Sequence, residues 1–321
     1  MDVLVTGGGG YIGSVLARAL LERGDRVRVI DSFVTGLRDR IPTGTELVQA
    51  DLRDDEAVAE ACRDVEVIFH QAALRSVPRS VDQPRLATEC NVLGTLNVLL
   101  GAQRAGVRRV VYASSSSVYG ESTAERQHED QLPDPRSPYA ASKLAAEYYC
   151  RVWTYTTELS TVSLRYFNVF GPGQPREGKY SLVFPAFVAC LVNGEPPEIH
   201  WDGEQAKDFT YIDDVVRANL LAADADRNVD GAVINIGNGS PRSVNEVLHA
   251  VADAVGTWIE PVRLPKRVGD IRRTHADIKR AKELLGWEPQ ADWREAIEAT
   301  VAWFRQTPPA RGAGENSTVA S

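Results

Sequence analysis

The chain has 321 residues, of which 43% are hydrophobic and 25% are charged, a composition typical of folded globular proteins. Its 36 Lys and Arg residues against 44 Asp and Glu residues give a formal net charge of −8, which argues against binding nucleic acid or an anionic membrane surface. No apolar run approaches the roughly 18 residues of a membrane span, and the first residues lack a signal-peptide pattern. The four cysteines have neither disulfide nor zinc-site spacing, so we expect free thiols and a cytoplasmic protein.

Short β-branched runs alternate with amphipathic stretches of helical length through the first half of the chain. We predict strands over 3–6, 27–31, 67–71 and 110–113, and helices over 11–23, 54–61, 84–105 and 137–156. This alternation predicts an α/β protein with a Rossmann-type doubly wound parallel sheet, covered by helices on both faces.

The second half of the chain has a looser pattern, with Gly and Pro punctuation from residue 171 onwards. We predict a Rossmann domain over 1–170, a smaller C-terminal α/β lobe over 171–307 and a disordered tail over 308–321. A helical pattern at 215–223 and a strand pattern at 233–236 indicate that segments around 210–240 return to the first domain.

A glycine-rich segment lies between the first strand and the first helix, with Gly7, Gly10 and Gly13 at regular spacing. Gly7 permits a tight turn, Gly10 lets backbone N–H groups approach a pyrophosphate, and Gly13 lets the helix lie close to the sheet. Asp31 ends the second strand 18 residues after Gly13, where a carboxylate binds the ribose hydroxyls and repels a 2′-phosphate. The pattern predicts bound NAD, with Gly13 and Asp31 among its contacts.

A second group of polar residues follows the strand at 110–113. The serine run at 114–117 lies at the end of that strand, and Tyr139 and Lys143 stand four residues apart in a predicted helix. That spacing places both side chains on one helical face. A fixed ammonium favours phenolate over phenol, so we expect Lys143 to lower the pKa of Tyr139 and make it a usable base.

These motifs together resemble the extended short-chain dehydrogenase/reductase family, and within it the nucleotide-sugar 4-epimerases. The resemblance runs from Val3 to about Phe304. It rests on GGGGYIG at 7–13, HQAA at 70–73, SVPRS at 76–80, SPYAASK at 137–143, LRYFNVFGP at 164–172 and KDF at 207–209.

The resemblance implies a UDP-sugar epimerase that shuttles a hydride through NAD. Tyr139 takes the proton of the C4 hydroxyl, Ser115 binds the same oxygen, and Lys143 completes the catalytic set. The implied cofactor contacts also include Tyr11, Ile12, Asp51, Leu52, Gln71, Ala72, Ala73, Asn91, Ser114, Tyr166 and Val169.

Residues of the second half are implied to bind the UDP-sugar. Asn168, Lys207 and Arg267 match diphosphate-binding positions, Asp270 matches a uridine-ribose partner, and Phe209 is expected to stack on uracil. Lys207 stands where relatives have Arg, which removes bidentate geometry but keeps the charge. The remaining implied substrate contacts are Arg75, Ser76, Ser116, Leu182, Val183 and Thr274.

The preferred sugar is left open between three UDP-hexoses. The small Thr274 aligns with a position whose size decides whether an N-acetyl group fits, which favours UDP-N-acetylglucosamine alongside UDP-glucose. Arg75 beside Ser76 could instead pair with the carboxylate of UDP-glucuronate. Ser116 and Ser117 replace the acids that dehydratases and decarboxylases of the family need, whereas a net sugar-nucleotide dehydrogenase remains an alternative. Helices 84–105 and 137–156 resemble those that pair in family homodimers.

Overall fold

A computed structural model describes residues 1–122, 124–175, 183–266 and 271–307. Seven parallel strands form the main sheet in the order β11-β6-β5-β4-β1-β2-β3, which confirms the predicted Rossmann-type fold. The strands are β1 (Asp2–Thr6), β2 (Arg26–Asp31), β3 (Glu46–Gln49), β4 (Val67–His70), β5 (Arg109–Ser115), β6 (Ser160–Tyr166), β7 (Val169–Phe170), β8 (Glu198–His200), β9 (Ala206–Lys207), β10 (Thr210–Tyr211), β11 (Val233–Ile236), β12 (Arg242–Ser243) and β13 (Val262–Leu264).

Helices cover both faces of this sheet. On one face, α1 and α8 contribute Leu16 and Val215 to an apolar cluster. On the other face, α2, α5 and α6 contribute Val58, Val98 and Ala146. The helices are α1 (Tyr11–Arg23), α2 (Asp55–Ala61), α3 (Val77–Asp82), α4 (Pro84–Thr88), α5 (Gly94–Ala105), α6 (Pro138–Thr156), α7 (Val183–Asn193), α8 (Ile212–Asp224), α9 (Val244–Val255), α10 (Lys279–Leu285) and α11 (Trp293–Gln306).

The helix predicted over 84–105 is confirmed, with one wide turn within it. Residues Glu89–Leu93 form a π-helical turn between α4 and α5. Such a turn inserts a residue into the helical repeat. A hydrogen bond from the Thr95 hydroxyl to the Asn91 carbonyl oxygen, at 2.6 Å, stabilises this turn. The turn lies against α6, and it carries Asn91 into the interior.

The second half of the chain builds its own apolar cluster from α7, α9 and α11, around the rings of Phe170, Phe184 and Phe209. The chain then returns to the main sheet, where β11 pairs in parallel with β6. No described helix is long and apolar enough to cross a membrane. The domain division at 170/171 stays a prediction, and the tail predicted over 308–321 lies outside the described residues.

Candidate active site

The carboxyl ends of the parallel strands bring the predicted chemical groups to one edge of the sheet. In register, Thr6 of β1 pairs with His70 of β4, and Ser115 of β5 pairs with Tyr166 of β6. Asp31 ends β2, the neighbour of β1 on its other side. Open α/β sheets bind ligands at this edge, so the site begins where the strands end.

The glycine loop has the shape that a pyrophosphate requires. Gly7 has φ +71°, and a Cβ on Gly13 would lie 2.2 Å from the Gly7 carbonyl oxygen, so helix α1 starts pressed against the loop. A Cβ on Gly10 would meet only that same oxygen within 4 Å, at 3.1 Å. The loop is therefore open on the Gly10 side, where the first N–H groups of α1, at Tyr11 and Ile12, have no helical acceptor.

Asp31 is held in place by the loop that it faces. Its two carboxylate oxygens accept from the backbone N–H groups of Gly9 at 2.8 Å and Phe33 at 2.7 Å. Each oxygen keeps a further lone pair for a hydroxyl donor. The open glycine loop and the half-buried acid together fit the diphosphate and the adenosine ribose of NAD.

Other predicted cofactor residues line the same edge. Gln71 donates to the Tyr166 hydroxyl at 3.2 Å, and the Ala72 N–H donates to the Thr6 hydroxyl at 3.1 Å, which fixes the segment that also holds Ala73. Asp51 forms an ion pair with Arg53 at 2.8 Å, Leu52 is buried, and Val169 begins β7. The Tyr11 hydroxyl is buried without a hydrogen-bond partner in the described part of the chain.

The three predicted catalytic side chains converge between β5 and α6. Ser137 caps α6 by accepting from the Ala140 N–H at 3.1 Å, and the helix then presents Tyr139 and Lys143 one turn apart. Ser115 lies close enough to Tyr139 for its hydroxyl to act on the phenol and work against the rise in its pKa. The Lys143 ammonium donates to the Ala113 carbonyl oxygen at 2.7 Å and lies 5.0 Å from the ring centroid of Tyr112.

The predicted effect of Lys143 on Tyr139 is wrong for the protein by itself. Burial raises the pKa of Tyr139 above its usual 10, opposed by the Ser115 hydrogen bond and by the charge of Arg75. Burial likewise lowers the pKa of Lys143 to about 7, against the opposing influence of Cys150 and Glu147. Loss of hydration is the largest cause of both shifts, because neither charged form is well solvated.

A buried ion pair behind these residues was missed from the sequence. Glu147, one turn beyond Lys143, accepts from Arg165 of β6 at 2.9 and 2.8 Å, and it also accepts from the Ser114 hydroxyl. Arg165 lies 4.7 Å from the ring centroid of Tyr119. Continuing the four-residue spacing from Tyr139 through Lys143 to Glu147 was the signal that could have found it.

Asn91, predicted to contact the cofactor, forms three hydrogen bonds inside the protein. Its amide oxygen accepts from the Leu74 N–H at 2.7 Å, and its amide nitrogen donates to the Leu74 carbonyl oxygen at 3.3 Å and the Ser142 hydroxyl at 2.9 Å. The side chain is buried, and both of its donor hydrogens are used. Asn91 therefore fixes the loop that precedes Arg75 against helix α6.

Among the predicted substrate residues, Asn168 and Thr274 lie together. The Asn168 amide donates to the Thr274 hydroxyl at 3.3 Å and to the Asp208 carbonyl oxygen at 3.1 Å. The Asp208 carboxylate is buried and accepts backbone N–H groups of Asn238, Gly239 and Ala276. Asp208, the central residue of the KDF motif, thus ties three segments together at this point.

Five more predicted substrate residues are described. The Lys207 ammonium donates to the Ile271 carbonyl oxygen at 2.8 Å. Arg75 is exposed and Ser116 half-buried, and Ser76 caps α3 by accepting from the Arg79 N–H at 3.3 Å. Val183 begins α7, whereas Leu182, Arg267 and Asp270 lie outside the described residues.

The predicted stacking of Phe209 on uracil is not supported. The ring is 5% exposed and packs edge-on against Phe184 at a centroid distance of 5.1 Å and against Phe170 at 6.4 Å. Trp293 lies 6.3 Å away. These neighbours make Phe209 part of the apolar cluster of the second half, because an aromatic ring gains most when all of its surface is buried.

Comparison with known proteins points to the family that the sequence motifs resemble. The model of the NAD dependent epimerase/dehydratase family matches residues 3–237. The chain belongs to this family. The predicted resemblance and the NAD dependence are thereby confirmed.

Relatives with named activities cover almost the whole chain. A UDP-glucose 4-epimerase of Mycolicibacterium smegmatis is 38% identical over 95% of this chain and 99% of its own. The crystal structure of the Thermotoga maritima UDP-glucose 4-epimerase with UDP-glucose is 35% identical, covers 95% and 99% of the two chains, and has a TM-score of 0.91. The structure of MoeE5 in complex with UDP-glucuronic acid and NAD is 37% identical at the same coverage, with a TM-score of 0.87.

Replacing Glu147 by Ala should destabilise the protein by about 3–5 kcal/mol, because Arg165 is left as a buried charge without its partner. Urea denaturation measures the change. Glu298→Ala is the matched control: it removes an exposed pair with Arg294, and we expect a change within about 0.5 kcal/mol. A loss below about 1 kcal/mol for Glu147→Ala would contradict the assigned role of the pair.

Replacing Lys143 by Met should change how stability depends on pH. Because the pKa of Lys143 is about 7 when folded and near 10.4 when unfolded, only the unfolded chain binds this proton between those values. Wild-type stability therefore rises with pH across that window, by up to about 1.4 kcal/mol per unit relative to the variant. Urea denaturation at pH 7 and pH 9 measures the difference, and replacement of the exposed Lys279 by Met should retain the wild-type dependence.

Proposed function

We propose that this protein is an NAD-dependent 4-epimerase of UDP-hexoses, acting on UDP-glucose and UDP-N-acetylglucosamine through a 4-keto sugar. The observation that carries the proposal is the convergence of Ser115, Tyr139 and Lys143 beside the open glycine loop, at one edge of the sheet. The named relatives, which cover nearly the whole chain, support the same chemistry.

The residues that would hold NAD come from the first two strands and the loop between β1 and α1. Backbone N–H groups at Tyr11 and Ile12 would bind the diphosphate, and Asp31 the adenosine ribose. When bound, NAD supplies a reversible acceptor for the hydride at C4 of the sugar.

Tyr139 is the group that moves the proton. Its phenolate would accept the proton of the sugar C4 hydroxyl and later return it to the same oxygen, so that the net reaction is isomerisation. Ser115 would donate a hydrogen bond to that oxygen. Lys143, one turn along α6, would add positive charge whenever it is protonated.

The second half of the chain would bind the rest of the substrate. Asn168 and Lys207 would contact the diphosphate, with Arg267 and Asp270 completing the diphosphate and ribose contacts as the resemblance implies. The hydroxyl of Thr274 is bonded to Asn168, which supports a position for this small side chain next to the substrate. Its size would leave room for an N-acetyl group.

UDP-glucuronate is the second candidate substrate, and one observation favours it. The Arg75 guanidinium lies near enough to the Tyr139 hydroxyl for its charge to oppose the rise in that pKa. A guanidinium there could pair with a hexuronate carboxylate. The MoeE5 complex with UDP-glucuronic acid, from a protein of the same fold, is consistent with this alternative.

The finer predictions on assembly and cellular location are also part of this proposal. Helix α6 presents Tyr148, Tyr149, Val152 and Tyr155 at 39–67% exposure. A second copy of the chain would bury such a stripe, which supports a homodimer, and sedimentation equilibrium would measure it. The four unpaired cysteines support a reducing compartment, as in the cytoplasm.

Replacing Tyr139 by Phe should reduce turnover at least a thousandfold while NAD remains bound, because only the hydroxyl is lost. The measurement is conversion of UDP-glucose to its 4-epimer, with bound NAD determined on the denatured protein. Near-wild-type turnover in this variant would refute the assigned base. Absorbance of NADH is followed alongside, since NADH released in proportion to product would identify a dehydrogenase.

Replacing Thr274 by Tyr should lower kcat/KM for UDP-N-acetylglucosamine at least tenfold more than for UDP-glucose, because the ring would take the volume of the N-acetyl group. UDP-glucuronate is assayed beside the other two substrates. Thr274→Val is the matched control, since it removes the hydroxyl bonded to Asn168 but keeps the volume. An equal effect of Thr274→Tyr on both hexoses would exclude a role in sugar selection.

A further inference from the structure

Ser115, the predicted catalytic serine, accepts two hydrogen bonds from a neighbouring serine. Ser115 ends β5 in an extended conformation, and its side chain caps the 3-10 turn Ser116–Tyr119. The N–H group of Ser117 donates to the Ser115 hydroxyl oxygen at 3.1 Å, and the Ser117 hydroxyl donates to the same oxygen at 2.8 Å. One serine oxygen therefore accepts twice from the same neighbour.

These two bonds determine what the Ser115 hydroxyl can still do. A serine oxygen has two lone pairs and one proton. With both lone pairs used by Ser117, the group can act only as a donor, and the nearby group on which it acts is the Tyr139 hydroxyl. Tyr139 then has to accept at this contact, and accepting a hydrogen bond favours the phenolate over the phenol.

The turn that carries Ser117 is held rigidly. Val118 and Tyr119 are buried, and the Tyr119 hydroxyl donates to the Asn235 amide oxygen of β11 at 2.6 Å. Gly120 ends the turn at φ +59°, where a Cβ would lie 1.9 Å from the Asp134 carbonyl oxygen. These contacts hold Ser117 in its position next to Ser115.

We propose that Ser117 is a positioning residue, whose hydroxyl fixes Ser115 as a hydrogen-bond donor, toward Tyr139 in the free protein and toward the sugar C4 oxygen when the substrate is bound. Without that hydroxyl, a lone pair of Ser115 is released, and the Tyr139 hydroxyl can donate to it. This reversed bond would stabilise the protonated Tyr139, which cannot act as the base. The proposal rests on the proposed function and adds a residue to its machinery.

The test compares Ser117→Ala with Ser117→Thr, which keeps the hydroxyl. Ser117→Ala should lower kcat for UDP-glucose about five- to tenfold with KM changed less than twofold, since the bond acts on the reacting oxygen rather than on binding. The rising limb of the kcat/KM–pH profile, which reports the free enzyme, should move to higher pH by about half a unit or more. Ser117→Thr should restore both values to within about twofold of wild type.

A second readout does not depend on turnover. The ultraviolet titration of phenolate in each protein, after subtraction of the same titration for its Tyr139→Phe counterpart, reports Tyr139 itself. Its midpoint should rise in Ser117→Ala and remain in place in Ser117→Thr. The other charged groups near Tyr139, Arg75 from the loop after β4 and Lys143 on α6, are retained in every variant.

Ser243→Ala is the matched control, because it removes another helix-capping hydroxyl far along the chain from Ser115. It should lower the melting temperature without moving the phenolate midpoint. If Ser117→Ala does not fold, Ser117→Cys takes its place, since a thiol is only a weak donor and should give a smaller shift in the same direction. An unchanged phenolate midpoint in a folded Ser117→Ala would overturn the proposal, and so would an equal loss of kcat in Ser117→Thr. An inactive wild-type protein whose variants show the expected midpoints would reject only the proposed function.

Discussion

The attachment of helix α6 to strands β5 and β6 is the contact on which the site depends. Glu147 and Arg165 form that attachment inside the protein, where either charge without the other would be strongly destabilising. The pair fixes the rotation of α6 about its axis. Because Lys143 and Tyr139 lie four and eight residues before Glu147 on the same helical face, their side chains are oriented by the same contact. Because Glu147 also holds Ser114, the end of β5 and the helix are located by one carboxylate.

Burial has a second consequence, which is that the site rests in neutral forms. The pKa of Lys143 falls to about 7 and that of His70 to about 3, while that of Tyr139 rises, and burial is the largest cause in each case. The neutral ring of His70 forms hydrogen bonds with the hydroxyls of Thr6 and Thr95. The charges needed for proton transfer therefore have to be stabilised by short, directed contacts, of which the one from Ser115 is the clearest.

Local patterns in the sequence were sufficient for the elements and for the motif residues. The bounds of α1 and β11 agree with the predicted 11–23 and 233–236, because a glycine ends α1 and an apolar run defines β11. Tyr139 and Lys143 follow from helical spacing alone. The π turn before α5, the burial of Phe209 and the raised pKa of Tyr139 depend on contacts between distant segments, which no local pattern contains.

The late position of β11 in the chain also affects the protein while it is being synthesised. Strand β6 receives its outer neighbour only when Val233–Ile236 has been made, after the whole segment between β7 and α8. Until then β6 has an unpaired edge, which is a template for pairing with other chains. The aggregation risk of the nascent protein therefore depends on how quickly the segment between β7 and α8 folds and returns the chain to the sheet.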